Sequence, residues 1–81
     1  MNEYQVLFFT HTGAIKFNRF MKKEAISCEL MPVPRALSSN CSVSAKIYFD
    51  GAITALVDNQ IEKIFQNEDG TYSLVYSSEE L

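Results

Sequence analysis

Eighty-one residues, a formal net charge of −3 and 47% apolar side chains describe one small folded domain, too apolar for disorder and too acidic to bind nucleic acid by bulk charge. A chain of this size buries only about 60% of the surface it exposes when unfolded, so its stability margin is thin. No apolar run approaches the roughly 20 residues of a membrane span. The opening MNEYQVLFF carries an acid where a secretory signal needs positive charge, so a cytoplasmic protein with no membrane partner is expected.

In chain order, residues 4–10 (YQVLFFT) are nearly all apolar and rich in aromatic and β-branched types, the pattern of a central strand covered on both faces. Thr10-His11-Thr12-Gly13 stops the run, and Thr10 or Thr12 can cap a helix. From residue 13 to about 25, Ala14, Phe17, Met21 and Ala25 recur at three- and four-residue steps, with Phe20 widening the apolar stripe. Lys16, Arg19, Lys22 and Lys23 take the other angles, a solvated face or a docking surface for an acidic partner. Residues 27–33 read as a second strand ended by Pro32 and Pro34. Residues 35–40 are small and polar, a loop, and residues 43–49 (VSAKIYF) alternate as a third strand. Asp50 is placed to cap a short second helix through Ala52, Ala55, Leu56 and Val57. Residues 61–66 and 71–77 flank Asn67-Glu68-Asp69-Gly70 as a closing hairpin, and a polar tail begins at about residue 78.

The order β-α-β-β-α-β with an added C-terminal strand predicts a single α+β domain over residues 1–81. It would have one small antiparallel or mixed sheet with two helices on one face, of ferredoxin-like kind. The first two strands would be parallel, joined right-handedly through the first helix.

The chemistry-bearing residues are few. Two cysteines without a CxxC pair and a single histidine give no ordinary zinc site. The absence of GxGxxG and of a P-loop leaves no cofactor to expect. Cys41 closes a loop that holds Arg35, a permanent cation, and Ser38, Ser39 and Asn40, which favour turns whose N–H groups converge as an anion nest. A thiol reacts only as thiolate, and these are groups that favour the thiolate. The other reading of Cys41 is a small residue at the start of a strand. Cys28, beside Ile26 and Leu30 in alternation, reads as core. His11 and Thr12 sit at the strand-to-helix edge, where binding residues gather, and with Arg35 they form a candidate pocket for a small anion.

FFTHTGAIKFNRFMKKEAI followed by PVPRALSSNC resembles the selenium/sulfur carrier-like family, over roughly residues 4–49. That family is similar in its first strand, small polar turn and alanine-bearing helix, matched here by Thr12 and Ala14. Its Pro-Arg loop with serines leading to a cysteine is matched by Pro34, Arg35, Ser38, Ser39 and Cys41. The family pattern continues with glycine where this chain has Ser42. The resemblance implies a carrier or thiol-based accessory protein rather than a stand-alone enzyme, passing sulfur or selenium between a donor and an acceptor protein. Cys41 would accept the chalcogen, Arg35, Ser38 and Ser39 would stabilise the anion, and His11 would assist proton transfer. The alternative is a non-catalytic interaction module with a structural cysteine, forming a homodimer through the C-terminal hairpin, whose Tyr72, Leu74 and Tyr76 are expected on one face and Val75 on the other.

Overall fold

A computed structural model describes residues 1–39 and 41–80. The apolar run at the start of the chain becomes β1 (Asn2–Phe8), the middle strand of a five-stranded, wholly antiparallel sheet of order β2-β3-β1-β4-β5. The other strands are β2 (Cys28–Pro32), β3 (Val43–Phe49), β4 (Ile61–Glu68) and β5 (Thr71–Ser77). Tyr4, Val6 and Phe8 face the single helix, α1 (His11–Lys23), and join Ala45, Ile47, Ile61 and Ile64 in the core. The opposite face of β1 is also buried, which explains the lack of alternation there. Leu7 is fully covered, and Gln5 is satisfied because its Nε2 donates to Ser44 Oγ at 2.6 Å.

Thr10, not Thr12, caps α1: its Oγ1 accepts the Gly13 N–H at 3.0 Å. Gly13 is buried against Gln60, where any Cβ would lie 2.8 Å from the Gln60 Oε1. Ala14, Phe17 and Met21 seat the helix on the sheet, with the Phe17 ring 5.2 Å from that of Phe8. The far end closes as a Schellman motif: the Ile26 N–H reaches Met21 O at 2.8 Å and the Ala25 N–H reaches Lys22 O at 3.2 Å. Ala25 takes the left-handed conformation (φ 58°) that this motif ordinarily gives to glycine.

Two expectations are corrected. Among the described residues there is one α-helix, not two. Residues between β3 and β4 form only a four-residue 3-10 turn, Ile53–Leu56, which buries Ile53. Its Ile53, Leu56 and Val57 spacing looks helical, but an Asx turn at Asp58, whose Oδ1 accepts the Gln60 N–H at 2.8 Å, stops it before an α-helical nucleus is repaid. The expected second helix is therefore replaced by this short turn. Strands β1 and β2 run parallel, as expected, on either side of β3, which is antiparallel to both. Finally, Tyr76 does not share a face with Tyr72 and Leu74. A bulge leaves Val75 as the extra residue between the pairs Phe65↔Leu74 and Ile64↔Tyr76, so Tyr76 turns to the core.

A second bulge, between Leu7 and Phe8 of β1, makes Glu62 the extra residue on β4. It brings Ile61 and Ile64, three apart, onto the same core side. Asp69 and Gly70, both at positive φ, make the two-residue β4–β5 turn. The tail ends in a short 3-10 turn, Ser78–Glu80, against β4. Among the described residues no helix is long and apolar enough to cross a membrane.

The two sheet edges differ. Edge strand β2 is short and carries Glu29 and Pro32. Edge strand β5 has seven residues, no charge and no proline, and exposes Leu74 and Val75.

Candidate functional site

The antiparallel pairings bring the ends of β1 and β2, the starts of β3 and β4 and the first turn of α1 to one end of the sheet. The long β2–β3 connection, residues 33–42, lies there. Its fixed point is Ser39. The Ser39 hydroxyl faces Glu62 Oε1 at 2.7 Å and Phe8 O at 3.2 Å, two acceptors that share its one proton, and its oxygen accepts the Cys41 N–H at 3.2 Å. Glu62, lifted out of strand phase by its bulge, is buried. Ser39 supplies a hydrogen-bond donor to this carboxylate, without which its burial would be costly.

Cys41 is buried, 5% exposed, yet stands apart from the main core cluster. Its Sγ accepts the Val43 N–H at 3.4 Å. The sulfur thus sits in a tight turn between two polar anchors, its own N–H on Ser39 and its Sγ on Val43. Such an N–H stabilises negative charge on sulfur. Ser42, next in the chain, is exposed, and its Oγ is 3.0 Å from His11 Nε2. This contact ties the first turn of α1 to the residue beside the thiol.

Of the residues the sequence nominated, the fold brings Ser39, Cys41 and, through Ser42, His11 into one neighbourhood. Arg35, Ser38 and Thr12 are exposed, and among the described residues Arg35 makes no ion pair or side-chain hydrogen bond to the Cys41 sulfur. Asn40, the other proposed member of the anion nest, lies outside the described residues. Two participants escaped the sequence reading. Ser42 was seen as a departure from a glycine pattern, not as a partner for His11. Glu62 was read as part of a strand; its signal was a carboxylate between Ile61 and Ile64, out of step with simple alternation.

Beside this end of the sheet a groove of about 570 Å3 opens between α1 and β2. His11 and Ile15 form its helical wall, Leu30, Met31 and Pro32 its strand wall, and Ser42 and Val43 its end. Cys28 lies further along β2, half-buried on the helix side. Burial pushes its thiol from the ordinary 9.0 up to about 11, against the opposing pull of the Lys22 ammonium, so it is a neutral thiol at physiological pH. Among the described residues no three His, Cys, Asp or Glu side chains cluster as metal ligands.

A comparison with models of known protein families matches residues 3–76 to the family described as "Putative Se/S carrier protein-like". No curated protein and no solved structure matches the chain.

Proposed function

The chain belongs to the Se/S carrier protein-like family, and from that premise we propose that it carries sulfur or selenium on Cys41. The observation that supports Cys41 is the Val43 N–H aimed at its Sγ at 3.4 Å, a donor able to stabilise a thiolate. Cys28 lacks this support and is held neutral. In the transfer, the Cys41 thiolate attacks the outer sulfur of a donor persulfide. The donor's S–S bond breaks and a new S–S bond forms at Sγ. The electron pair leaves with the inner donor sulfur, which takes the proton that Cys41 gave up. No external oxidant or reductant is consumed, and the same exchange run in reverse loads an acceptor protein. Both cysteines are free, as this chemistry requires, and the reading fits the reducing cytoplasm.

Because Cys41 is buried, the loop must open for a donor to reach it, and Ser39 and the His11–Ser42 contact are the latches that open. Arg35 and Ser38, exposed on the same loop, are free to meet the donor's charge as it docks. The test is mass spectrometry of the Cys28→Ala protein after exposure to an inorganic polysulfide. One added sulfur on the Cys41 peptide is expected, and a protein that stays unmodified while a small-molecule thiol is persulfidated under the same conditions would sink the reading.

A second reading is favoured by one observation. Edge strand β5 is uncharged and exposes Leu74 and Val75, which suits strand-to-strand pairing with another copy. Light scattering of the Leu74→Lys variant against the parent tests it: a dimer in the parent that the variant loses supports this reading, and a monomeric parent at high concentration removes it.

A further inference from the structure

The groove between α1 and β2 lies beside an edge strand of the sheet, and the pairing of β2 with β3 says which backbone groups are free there. Tyr48 N–H donates to Ser27 O at 3.4 Å and Val33 N–H donates to Ser42 O at 3.2 Å. The register between them is unbroken, Cys28↔Ile47 to Pro32↔Val43. In an antiparallel ladder bonded pairs alternate with unbonded ones. Ser27, Glu29, Met31 and Val33 therefore spend their backbone groups on β3, while the N–H and C=O of Cys28 and Leu30 point outward. Among the described residues these groups make no other backbone hydrogen bond. The side chains of Cys28 and Leu30 turn to the helix side, and Leu30 lines the groove.

The helical wall is polarised. His11, Ile15 and Lys22 share one face of α1, at steps of four and seven residues. His11, with Ser42, closes one end of the groove. Lys22 follows on the same helix face beyond the residues that line the groove, near enough to act electrostatically on Cys28. Arg19 and Lys22 are exposed, and among the described residues neither forms a salt bridge. The carboxylate on β2, Glu29, is turned to the opposite face of the sheet and engages Lys46 at 3.8 Å. The groove therefore has largely apolar walls beside a strand edge with two free backbone pairs, and the exposed Lys22 stands beyond its lining on the same helix face.

We propose that this groove binds an extended peptide segment of a partner protein, which adds as a short strand to β2, sets an apolar side chain between Ile15, Leu30 and Val43, and places a carboxylate beside Lys22. Backbone bonding to Cys28 and Leu30 supplies sequence-tolerant affinity, and the apolar slot and the cation supply selection. Pro32, which has no N–H to give, limits the added strand at the His11 end. The inference does not depend on chemistry at Cys41, and it assigns to the basic face of α1 the acidic partner that its composition suggests.

The experiment pans a displayed library of random decapeptides on the Cys41→Ser protein, which removes thiol capture, and synthesises the most enriched sequence. Enrichment of alternating apolar residues with a neighbouring Asp or Glu is expected. So are amide shifts at Cys28 and Leu30 in NMR, and at least a tenfold loss of affinity in Ile15→Glu and in Lys22→Glu. Ile15 and Lys22 are both exposed, so these variants should fold, and the dispersion of their spectra verifies it. No enrichment over an unrelated protein would overturn the proposal, as would binding unchanged by Ile15→Glu, or shifts confined to β5. Persulfide loading of the parent reports on Cys41 separately, so the two readings fail independently.

Discussion

Cys28 and Cys41 are chemically the same free thiol, and the difference between them lies in what surrounds each sulfur. Cys28 is the more exposed and has a lysine for a neighbour, features that favour a reactive cysteine. Yet the apolar wall it rests on outweighs the Lys22 charge, and its proton is held to about pH 11. Cys41 is the more buried, but a backbone N–H points at its sulfur and Ser39 fixes its main chain. Desolvation without donors keeps a thiol neutral, whereas a donor in place offsets part of the cost of charge. Exposure alone therefore does not rank these two thiols.

The largest test of this contrast is exchange of each thiol for a hydroxyl. Cys41→Ser should reduce polysulfide loading to background, and Cys28→Ser should leave it intact; the reverse result would invert the assignment. Next comes the anchor. Ser39→Ala strands the Glu62 carboxylate and frees the Cys41 N–H, and should cost about 2 kcal/mol, a fall in Tm of roughly 10 °C for a domain this small. Alkylation of Cys41 should quicken at the same time, as peptide mapping would detect; a stable variant with unchanged alkylation would mean that Ser39 latches nothing. A smaller effect concerns pH. Because the Cys28 pKa is raised in the folded state, the folded protein retains a proton that the unfolded chain loses above pH 9.0. Stability from this source is complete below about pH 9 and lost progressively as pH rises towards about 11. Thermal melts of Cys28→Ser should be flatter than the parent's across that window. The smallest shift is expected from Lys22→Gln: with the cation gone only burial acts, so the Cys28 titration midpoint, followed by thiolate absorbance, should move further up.

The sequence was legible where local rules decide. Strand β3 has the bounds that its alternation predicts, α1 begins and ends within two residues of its expected limits, and the hairpin turns at Asp69-Gly70. It was illegible where one residue or a distant partner decides. The Ala52, Ala55, Leu56 and Val57 pattern predicts a short helix, but only Ile53–Leu56 form a 3-10 turn, followed by the Asx turn at Asp58. The two bulges reverse facing at Glu62 and Tyr76 without any composition signal stronger than a misplaced carboxylate. The site shows the same division. The loop, Ser39 and Cys41 are adjacent in sequence and could be grouped by reading. The contacts from Ser39 to Glu62 and from His11 to Ser42 span 23 and 31 residues, and no spacing rule predicts them.

Edge strand β5, uncharged along its length, carries Glu68 and Asp69 just before its start and Glu79 just after its end. Two copies pairing antiparallel through this edge would set each start against the other's end, acid against acid. That repulsion is felt over about 30 Å at 0.01 M ionic strength and only about 3 Å at 1 M. Any such pairing would therefore depend on electrolyte. Dilute buffer should keep copies apart and concentrated salt should let them meet, and a sedimentation series in sodium chloride reads the effect directly.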